Sequence, residues 1–508
     1  MRIHVSLFCV LSVIAVQSAT AENWTQFRGP NNNGVPSAPL LPTRWAPAEN
    51  IAWQVTLPGF AWSQPVVWNN RIFVTTAVTE NQSKPTIGQG GGGGGGFGGG
   101  GRRGGANRQT PPDAQPDKPE GEGEAAAPER PEGERGERDR AERPEGGQRG
   151  RNGRGGGGRS AAAPDQVYRR LVLCLDATTG KVLWEQTAQE GKPSIGIHRT
   201  NTYASETPAT DGQVVIAYFG MTGLYCYDID GKLLWSKELD SQPMMMGWGT
   251  GSSPVIEGNR VFVQCDNEKK SYLLALDKHT GQELWRVDRD EKSNWSTPII
   301  WKNKLRTELV AGGGTMRAYD PADGHLLWEL AELRGRCSAT PVGTDELLYV
   351  GVGGGFAGAG PLVAVQAGAE GKAVLGKGET SNTNIAWSVP KAGPPMASPL
   401  VYRDCLYVLD QRGGIVGCYD AKTGQQHYRQ RIEGAKGFTS SPWAYDGQIF
   451  CLDETGQTFV LAAGAEFKLL ATNKLDDSFW SSVAVAGDHL LLRGVNHLYS
   501  IAPEKPSP

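Results

Sequence analysis

The sequence predicts an all-β fold, an eight-bladed β-propeller with four-stranded antiparallel blades, closed by pairing of the N- and C-terminal segments. Three observations lead to this prediction: a recurring Gly–aromatic phrase, a Ser/Thr–Pro phrase that marks eight starts, and two chain ends that complement each other. From Pro254 onward the starts are spaced by 44, 43, 58, 43 and 41 residues. A blade of four short strands needs about 40–45 residues, so each start marks one blade.

The first phrase places an aromatic residue four positions after a glycine. Glycine can adopt the positive φ of a tight hairpin, and the flanking segments alternate apolar and polar residues as half-buried strands do. The phrase occurs as LDATTGKVLW (175–184), YDIDGKLLW (227–235), LDKHTGQELW (276–285), YDPADGHLLW (319–328) and YDAKTGQQHY (419–428). Blades 5 and 7 depart from it, since VAVQAGAEG (363–371) is degenerate and no aromatic residue lies near Ala471. We expect those two sectors to pack less tightly.

The second phrase is a Ser/Thr-rich step that ends in proline before an apolar alternation. Proline suits the first residue of a strand, where no ladder donor is needed. The phrase occurs as WSQPVVW (62–68), ASETPAT (204–210), GSSPVIE (251–257), WSTPIIW (295–301), CSATPVG (337–343), MASPLVY (396–402) and TSSPWAY (439–445). The segment FWSSVAV (479–485) matches with Val483 in place of proline, which makes eight starts.

The chain ends predict how the ring closes. Trp53 lies in NIAWQV and Trp387 in NIAWSV, and each precedes the next proline of the second phrase by 12 residues. The segment 51–57 is therefore a fourth strand without its first three, whereas 479–502 supplies three strands and stops. Pairing of the two completes one blade and leaves no exposed sheet edge at the junction.

These phrases resemble the quinoprotein-type, pyrroloquinoline-quinone-like propeller repeat over about residues 45–79 and 166–502. The opening WTQFRGPNNNGV (24–35) is similar to the start of exported family members in planctomycete-type bacteria. Outer-membrane-assembly propellers share this repeat and bind partner proteins without catalysis. The resemblance implies that tryptophan side chains dock between neighbouring blades. In this sequence they are Trp53, Trp184, Trp235, Trp285, Trp328 and Trp387.

The chain divides into five predicted parts. Residues 1–21 read as a signal peptide, because a basic start and the apolar run 7–16 precede the small-x-small step Ala19-Thr20-Ala21. Residues 22–79 hold the closing strand and the start of blade 1, residues 166–502 the rest of the propeller, and residues 503–508 a tail. We therefore expect an exported protein, periplasmic or extracellular, with no transmembrane segment after signal cleavage. An uncleaved membrane anchor is the alternative, although the apolar run is short for a bilayer.

Residues 80–165 form a Gly/Arg/Glu/Pro-rich insertion that does not belong to the repeat. Between residues 102 and 159 there are thirteen Arg or Lys and twelve Asp or Glu residues, and hardly any apolar ones. Such a segment buries too little surface to offset its ordering entropy, so we expect it to be disordered. Its removal shortens the interval from Trp53 to Trp184 from 131 to 45 residues, which places the insertion between the second and third strands of blade 1.

Neither a catalytic residue nor a metal site nor a cofactor is predicted. The quinone-dependent dehydrogenases of this repeat class carry a disulfide between adjacent cysteines, a bound calcium and a carboxylate base, and no two cysteines here are adjacent. Cys174, Cys226 and Cys418 fall where other blades have alanine, as small buried residues do. The alternative interpretation is a pyrroloquinoline-quinone-dependent alcohol or sugar dehydrogenase, with that quinone and calcium as cofactors.

Two long connections predict a face for a ligand or partner. The interval from the Trp to the next Pro is 24 residues after Trp184 and 19 after Trp235, against 12–14 in most blades. Binding residues favour such loops. The candidate residues are His198, Arg199, Asn201, Tyr203 and Trp248, with the neighbouring Met244, Met245 and Met246, and with Asp266, Arg289 and Trp295 from adjacent units. In the alternative interpretation these loops only cap their blades, with Arg199 paired to a carboxylate and Trp248 in the core.

The predicted function is a binding or assembly scaffold that presents this face to a protein partner or a small ligand, which includes a carbohydrate. The formal net charge of −3 gives no reason to expect a nucleic-acid partner. We expect a monomer.

Overall fold

The computed structural model describes residues 22–38, 40–87, 162–331, 333, 335–353 and 359–503. The predicted signal peptide and most of the predicted insertion and tail lie outside these residues. The chain divides into two units, residues 1–93 with 159–508, and residues 94–158. The second unit lies entirely outside the described residues, so the following account concerns the first.

The regular structure of the described residues is β-sheet, apart from one 3₁₀ turn at Met245–Gly247. Strand β1 (Ile51–Val55) precedes the first complete blade. Blade 1 contains β2 (Val66–Trp68), β3 (Arg71–Val78), β4 (Tyr168–Asp176) and β5 (Val182–Gly191). Blade 2 contains β6 (Ala209–Thr210), β7 (Val214–Phe219), β8 (Gly223–Asp228) and β9 (Leu233–Glu238). Blade 3 contains β10 (Val255–Glu257), β11 (Arg260–Cys265), β12 (Ser271–Asp277) and β13 (Glu283–Arg289).

The next two blades share one short strand. Blade 4 contains β14 (Ile299–Lys302), β15 (Thr307–Ala311), β16 (Met316–Tyr319) and β17 (Leu326–Leu330). Blade 5 contains β18 (Val342–Gly343), β19 (Leu347–Gly351), β20 (Leu362–Gln366) and, after β21 (Gly371–Lys372), β22 (Ile385–Val389). Strand β21 leaves its own blade and pairs in parallel with β17, which gives blade 4 a fifth strand.

The last three blades complete the ring. Blade 6 contains β23 (Leu400–Tyr402), β24 (Cys405–Leu409), β25 (Ile415–Asp420) and β26 (Gln426–Arg431). Blade 7 contains β27 (Trp443–Tyr445), β28 (Gln448–Leu452), β29 (Gln457–Ala462) and β30 (Leu469–Lys474). Blade 8 contains β31 (Ala484–Ala486), β32 (His489–Arg493) and β33 (Leu498–Ile501), and its fourth strand is β1.

The predicted fold class is confirmed: eight sheets, each built on four antiparallel strands and one of them extended by the parallel strand β21, make a β-propeller. Within a sheet, consecutive strands form hairpins, and β1 pairs antiparallel with β33, with Trp53 opposite Ser500. The first strands of neighbouring blades contact one another, for example β2 with β6 and with β31, so they are the innermost strands. Apolar side chains of adjacent sheets pack into the core between them.

A relay of hydroxyl groups joins the blades at the start of each inner strand. In each link, the backbone N–H of the residue before the proline donates to the side-chain hydroxyl of the equivalent residue in the next blade. The seven links run through Gln64, Thr207, Ser253, Thr297, Thr340, Ser398, Ser441 and Ser482, at 2.9–3.2 Å. This hydroxyl relay explains the Ser/Thr–Pro phrase, because a short side chain with an oxygen acceptor is needed at each position.

Blade 1 has Gln64 in place of a hydroxyl residue, so the junction between blades 8 and 1 uses longer side chains. The Gln64 amide donates to the carbonyl of Val483. The Arg493 guanidinium at the end of β32 donates to Ser63 Oγ at 2.6 Å and to the Thr75 carbonyl at 2.7 Å. Arg493 is buried without a carboxylate partner among the described residues, and burial lowers its pKa to about 9.

The repeated indoles lie against the hairpin glycines of the following blade. In five junctions the indole N–H donates to a carbonyl of the next blade at 2.8–3.3 Å. A Cβ at the facing glycine would lie only 2.6–2.9 Å from the ring, so both the positive φ and the contact require glycine. The pairs are Trp53 with Gly180, Trp184 with Gly231, Trp235 with Gly281, Trp285 with Gly324, and Trp387 with Gly424.

Trp328 is the exception among these indoles. Its N–H donates at 2.6 Å to Oε2 of Glu308, which lies in the same blade. The following blade is the degenerate blade 5, whose glycine at the turn, Gly368, faces Leu305 instead. Trp328 is fully buried, and β21 covers the outer edge of its strand.

The N-terminal residues 23–34 lie along the inner strands of three blades, and we call them the channel plug. Backbone N–H groups of Val67, Thr210 and Ala444 donate to carbonyls of the plug at 2.8, 2.8 and 3.2 Å. These donors belong to blades 1, 2 and 7, so the plug occupies the space that the inner strands surround. Trp24 is buried in it at 1% exposure.

Arg28 lies in the plug without a neutralising partner. Its Nη2 donates to the carbonyl of Asn33 at 3.0 Å, whereas Nε and Nη1 have no hydrogen-bond partner. No carboxylate of the described residues lies within ion-pair distance, and burial lowers the pKa of Arg28 to about 9. Gln64 connects the plug to the ring, since its Oε1 accepts from the backbone N–H of Arg28 at 2.8 Å.

Removal of one relay hydroxyl should destabilise the ring. Ser253→Ala leaves the Thr207 N–H buried and unpaired, which costs roughly 1–3 kcal/mol. The matched control is Ser252→Ala, because the neighbouring hydroxyl is also buried but has no hydrogen-bond partner, and we expect a change within about 0.5 kcal/mol. Chemical unfolding of both variants measures the difference. Equal stability of the two variants would contradict the relay.

An added methyl group should show how closely the indoles pack. Gly231→Ala forces a side chain into positive φ and places its Cβ 2.8 Å from the Trp184 ring. The control is Gly258→Ala, where φ is +57° but nothing lies within 4 Å of the new Cβ. The backbone penalty is about 1–2 kcal/mol in both, and overpacking adds roughly 1–3 kcal/mol only at Gly231. Thermal unfolding of both variants should resolve this difference, and its absence would refute tight docking.

Candidate functional site

The two long connections form one face of the ring, beside the starts of the inner strands of blades 2 and 3. They are residues 192–208, between β5 and β6, and residues 239–254, between β9 and β10. Asn201 joins them, because its side-chain amide donates to the carbonyls of Trp248 at 2.6 Å and Thr250 at 3.3 Å. We call this surface the loop face.

The first loop positions His198, Arg199 and Tyr203 in different ways. Tyr203 is buried, donates to the carbonyl of Ile195 at 3.0 Å, and packs edge-on against Tyr168 at 4.7 Å. His198 lies 2.8 Å from the Thr200 hydroxyl, and burial together with the charge of Arg199 lowers its pKa. His198 is therefore neutral at neutral pH. Arg199 is exposed, and no carboxylate of the described chain lies within ion-pair distance of it.

The second loop presents a methionine to solvent. Met244 is buried, whereas Met246 is 40% exposed and has a φ of +51° in the 3₁₀ turn. The backbone N–H of Met245 donates to Ser293 Oγ at 2.9 Å, and the carbonyl of Pro243 accepts from the Glu268 N–H at 3.0 Å. The turn is thus attached to blade 3 through two residues that precede Met246.

A pair of indoles lies next to this turn. The rings of Trp248 and Trp295 are 5.5 Å apart, and the Trp295 N–H donates to the carbonyl of Gly249 at 2.6 Å. Both indoles are half-buried. The structure therefore brings Asn201, Trp248 and Trp295 together, with Met246 beside them.

Asp266 and Arg289 pair with each other beneath the loops. Arg289 Nε lies 2.9 Å from Asp266 Oδ1, and both side chains are 0% exposed. Arg289 also donates to the Tyr319 hydroxyl at 3.0 Å and to the carbonyl of Gly312 at 2.8 Å. The pair joins blades 3 and 4, and neither charge is free for a ligand.

The sequence analysis did not single out a second aromatic contact on the same side of the ring. Trp62 and Trp480 lie 5.4 Å apart at the junction of blades 1 and 8, and the Trp62 N–H donates to the carbonyl of Thr200 at 2.8 Å. A signal for it exists. Trp62, Trp295 and Trp480 each stand two positions before a residue of the hydroxyl relay, in WSQP, WSTP and WSSV.

No group of three or more His, Cys, Asp or Glu side chains among the described residues has the geometry to hold a metal ion. The seven described cysteines are free thiols, and six of them are buried. Burial raises the pKa of Cys174 and Cys226 to about 12, so neither is a thiolate at neutral pH. Within the described chain, no helix has the length and apolar character to cross a bilayer.

The buried ion pair should be far more sensitive to truncation than an exposed one on the same strand. Arg289→Met leaves Asp266 buried and uncompensated, which costs roughly 3–5 kcal/mol. The control is Arg286→Met, which removes an exposed pair with Glu283 at 2.7 Å and should cost about 1 kcal/mol or less. Unfolding free energies in denaturant test this difference. Similar losses would mean that the buried pair is not a structural junction.

The chain matches one family of proteins and is similar to several solved structures. The family described as "Outer membrane protein assembly factor BamB" matches residues 123–286, 168–331 and 220–466. No curated protein sequence matches. Among solved structures, BamB from Moraxella catarrhalis is similar at 14% identity and a TM-score of 0.46, over 65% of this chain and 90% of that chain. The computationally designed Ika8 protein is similar at 12% identity and a TM-score of 0.47, over 66% and 92% of the two chains.

Proposed function

The chain belongs to the family described as outer membrane protein assembly factor BamB, and on this premise we propose that it is a scaffold for protein assembly outside the cytoplasm. In this proposal the loop face docks a partner protein, and the propeller itself catalyses no reaction and needs no cofactor. The predicted signal peptide supports export to the periplasm or the exterior. The observation that carries the docking role is the exposed Met246 in its attached turn.

The backbone at Met246 is strained in a way that favours a functional explanation. A residue other than glycine at a φ of +51° is uncommon, and such strain persists only where the surroundings hold it. Here the surroundings are the hydrogen bonds of Met245 and Pro243 to blade 3. The result is an exposed apolar side chain held in a fixed position, and methionine adapts well to an apolar partner surface.

The neighbouring indoles add area to this contact. Trp248 and Trp295 are half-buried. The Trp295 indole is held by its hydrogen bond to the Gly249 carbonyl, and the Trp248 ring packs against it, so both lose little side-chain freedom when a partner covers them. Tryptophan is enriched among the residues that dominate binding energy in protein interfaces. Met246, Trp248 and Trp295 thus make an apolar centre, and the exposed Arg199 supplies a charge on the neighbouring loop.

A substitution at the centre of the loop face tests the proposal. Met246→Asp places a charge where the partner's apolar surface should lie, and we expect affinity for the partner to fall at least about tenfold. Leu284→Asp is the control, because Leu284 is 46% exposed on the outer strand β13, away from the loop face. The fold should be retained in both, as checked by circular dichroism.

The partner is found by photo-crosslinking in cells of the source organism. A photoreactive residue at position 246 should give a specific adduct with a component of outer-membrane protein assembly, identified by mass spectrometry, and the same probe at position 284 should not. Purified partner then gives the affinities of the two aspartate variants. Equal binding by both variants, or identical adducts from both probe positions, would refute docking through the loop face.

A further inference from the structure

A cleft between blades 2 and 3 lies on the outer side of the second loop. It has a small inner cavity of about 30 Å³ and a wider outer part of about 220 Å³. The two parts share the wall formed by Leu239, Asp240, Gln242 and Tyr272. None of these four residues belongs to the apolar centre of the loop face.

Two polar groups in the inner cavity lack partners. Gln264 is 1% exposed, and its amide Nε2 donates to Asp266 Oδ2 at 2.8 Å and to the carbonyl of Gly312 at 2.7 Å. Because both partners are acceptors, the orientation of the amide is determined, and Oε1 is the atom that accepts nothing. The buried hydroxyl of Ser252, which lines the same cavity, also has no partner.

Neither Gln264 Oε1 nor Ser252 Oγ has a hydrogen-bond partner among the described residues, so each could pair with a group of a bound ligand. An unsatisfied buried acceptor is costly, and nearly all such groups in proteins are paired with protein, water or ligand. The inner cavity has room for about two water-sized groups, since each needs about 10–15 Å³. A hydroxyl group fits this space, and a charged head group larger than ammonium does not.

The charges of the outer part do not favour an ion of either sign. Its lining contains Lys237, Lys270 and Arg286 together with Glu238 and Asp240. Arg286 is already occupied, because it pairs with Glu283 at 2.7 Å and lies 4.2 Å over the ring of Tyr272. Lys237 is occupied as well, because its Nζ lies 3.8 Å from Oε2 of the same Glu283. When Glu283 is counted, three cations stand against three carboxylates in and beside the outer part, so a neutral ligand whose groups both donate and accept hydrogen bonds matches this wall best.

We propose that this cleft binds a neutral carbohydrate unit the size of a monosaccharide. One sugar hydroxyl donates to Gln264 Oε1 and contacts the Ser252 hydroxyl, and the ring lies in the outer part against Leu239 and Tyr272. Asp240 and Gln242 form hydrogen bonds with the remaining hydroxyl groups of the sugar. The outer part is smaller than the roughly 300–1,000 Å³ of pockets for drug-sized ligands, which limits the ligand to one sugar unit. This activity goes beyond the scaffold role and does not depend on it.

A cysteine in the cleft can report whether the cleft is occupied. Cys265 lines the inner cavity, and it is the one cysteine of the described residues that is not buried. Cys265 is half-buried: its sulfur lies 3.3 Å from the hydroxyl of Tyr218, and partial removal from water raises its pKa to about 11. A thiol reagent applied at alkaline pH should therefore modify Cys265 before the other six, and a sugar in the cleft should slow that reaction.

The experiment measures the alkylation rate of Cys265 in the full-length protein by peptide mass spectrometry. The probes are D-glucose, D-galactose and N-acetyl-D-glucosamine at increasing concentration, with glycerol as the control for non-specific effects. At least one sugar should slow alkylation about tenfold in a saturable way. If no sugar protects Cys265 more than glycerol does, the proposal is overturned and the cleft holds water only.

Two serine variants then locate the binding. Ser252→Ala removes a hydroxyl without breaking a protein hydrogen bond, so the variant should fold and require at least about fivefold more sugar for half-protection. Ser253→Ala acts on the hydroxyl relay outside the cleft and should leave the half-protecting concentration unchanged in the folded protein. Unchanged protection in Ser252→Ala would also overturn the proposal. No partner protein is present, so the result is independent of docking through Met246.

Discussion

The architecture depends on the hydroxyl relay at the starts of the inner strands. Each link satisfies a backbone N–H next to the central space, where a proline follows and the sheet itself offers no partner. The link also sets the distance between neighbouring blades, because the hydroxyl of a Ser or Thr side chain lies close to its own backbone and cannot span a wider gap. The indole–glycine contacts repeat the same constraint farther out, so two layers of contact hold adjacent sheets in place.

Much of this architecture was predictable from the sequence because the contacts between blades repeat around the ring. A Ser/Thr–Pro step and a Gly–aromatic step serve the same physical need in most blades, so period and residue type together predict the sheets. The degenerate blade 5 shows the limit of this reasoning. Its turn does not offer Trp328 a facing glycine, and the indole bonds to Glu308 while a strand of blade 5 covers it. Neither contact leaves a periodic trace in the sequence.

The candidate site was less accessible from the sequence. Loop length led to Asn201 and Trp248, and position in the adjacent units led to Trp295; the three do lie together. Position in the adjacent units equally led to Asp266 and Arg289. No spacing along the chain could reveal the distance between these two, which neutralise each other out of solvent. The unpartnered atoms of Ser252 and Gln264 were hidden for the same reason, since only coordinates show which polar groups lack a neighbour.

The channel plug has a consequence for biogenesis. Residues early in the sequence bond to blade 7: the Gly34 carbonyl accepts from the Ala444 N–H, and the Trp45 N–H donates to Asn473 Oδ1, 428 positions later. Contacts of such sequence separation slow folding, so an emerging chain holds its first segment unplaced while seven blades appear. Assembly of the ring around this segment therefore requires nearly the whole propeller sequence to be available at once.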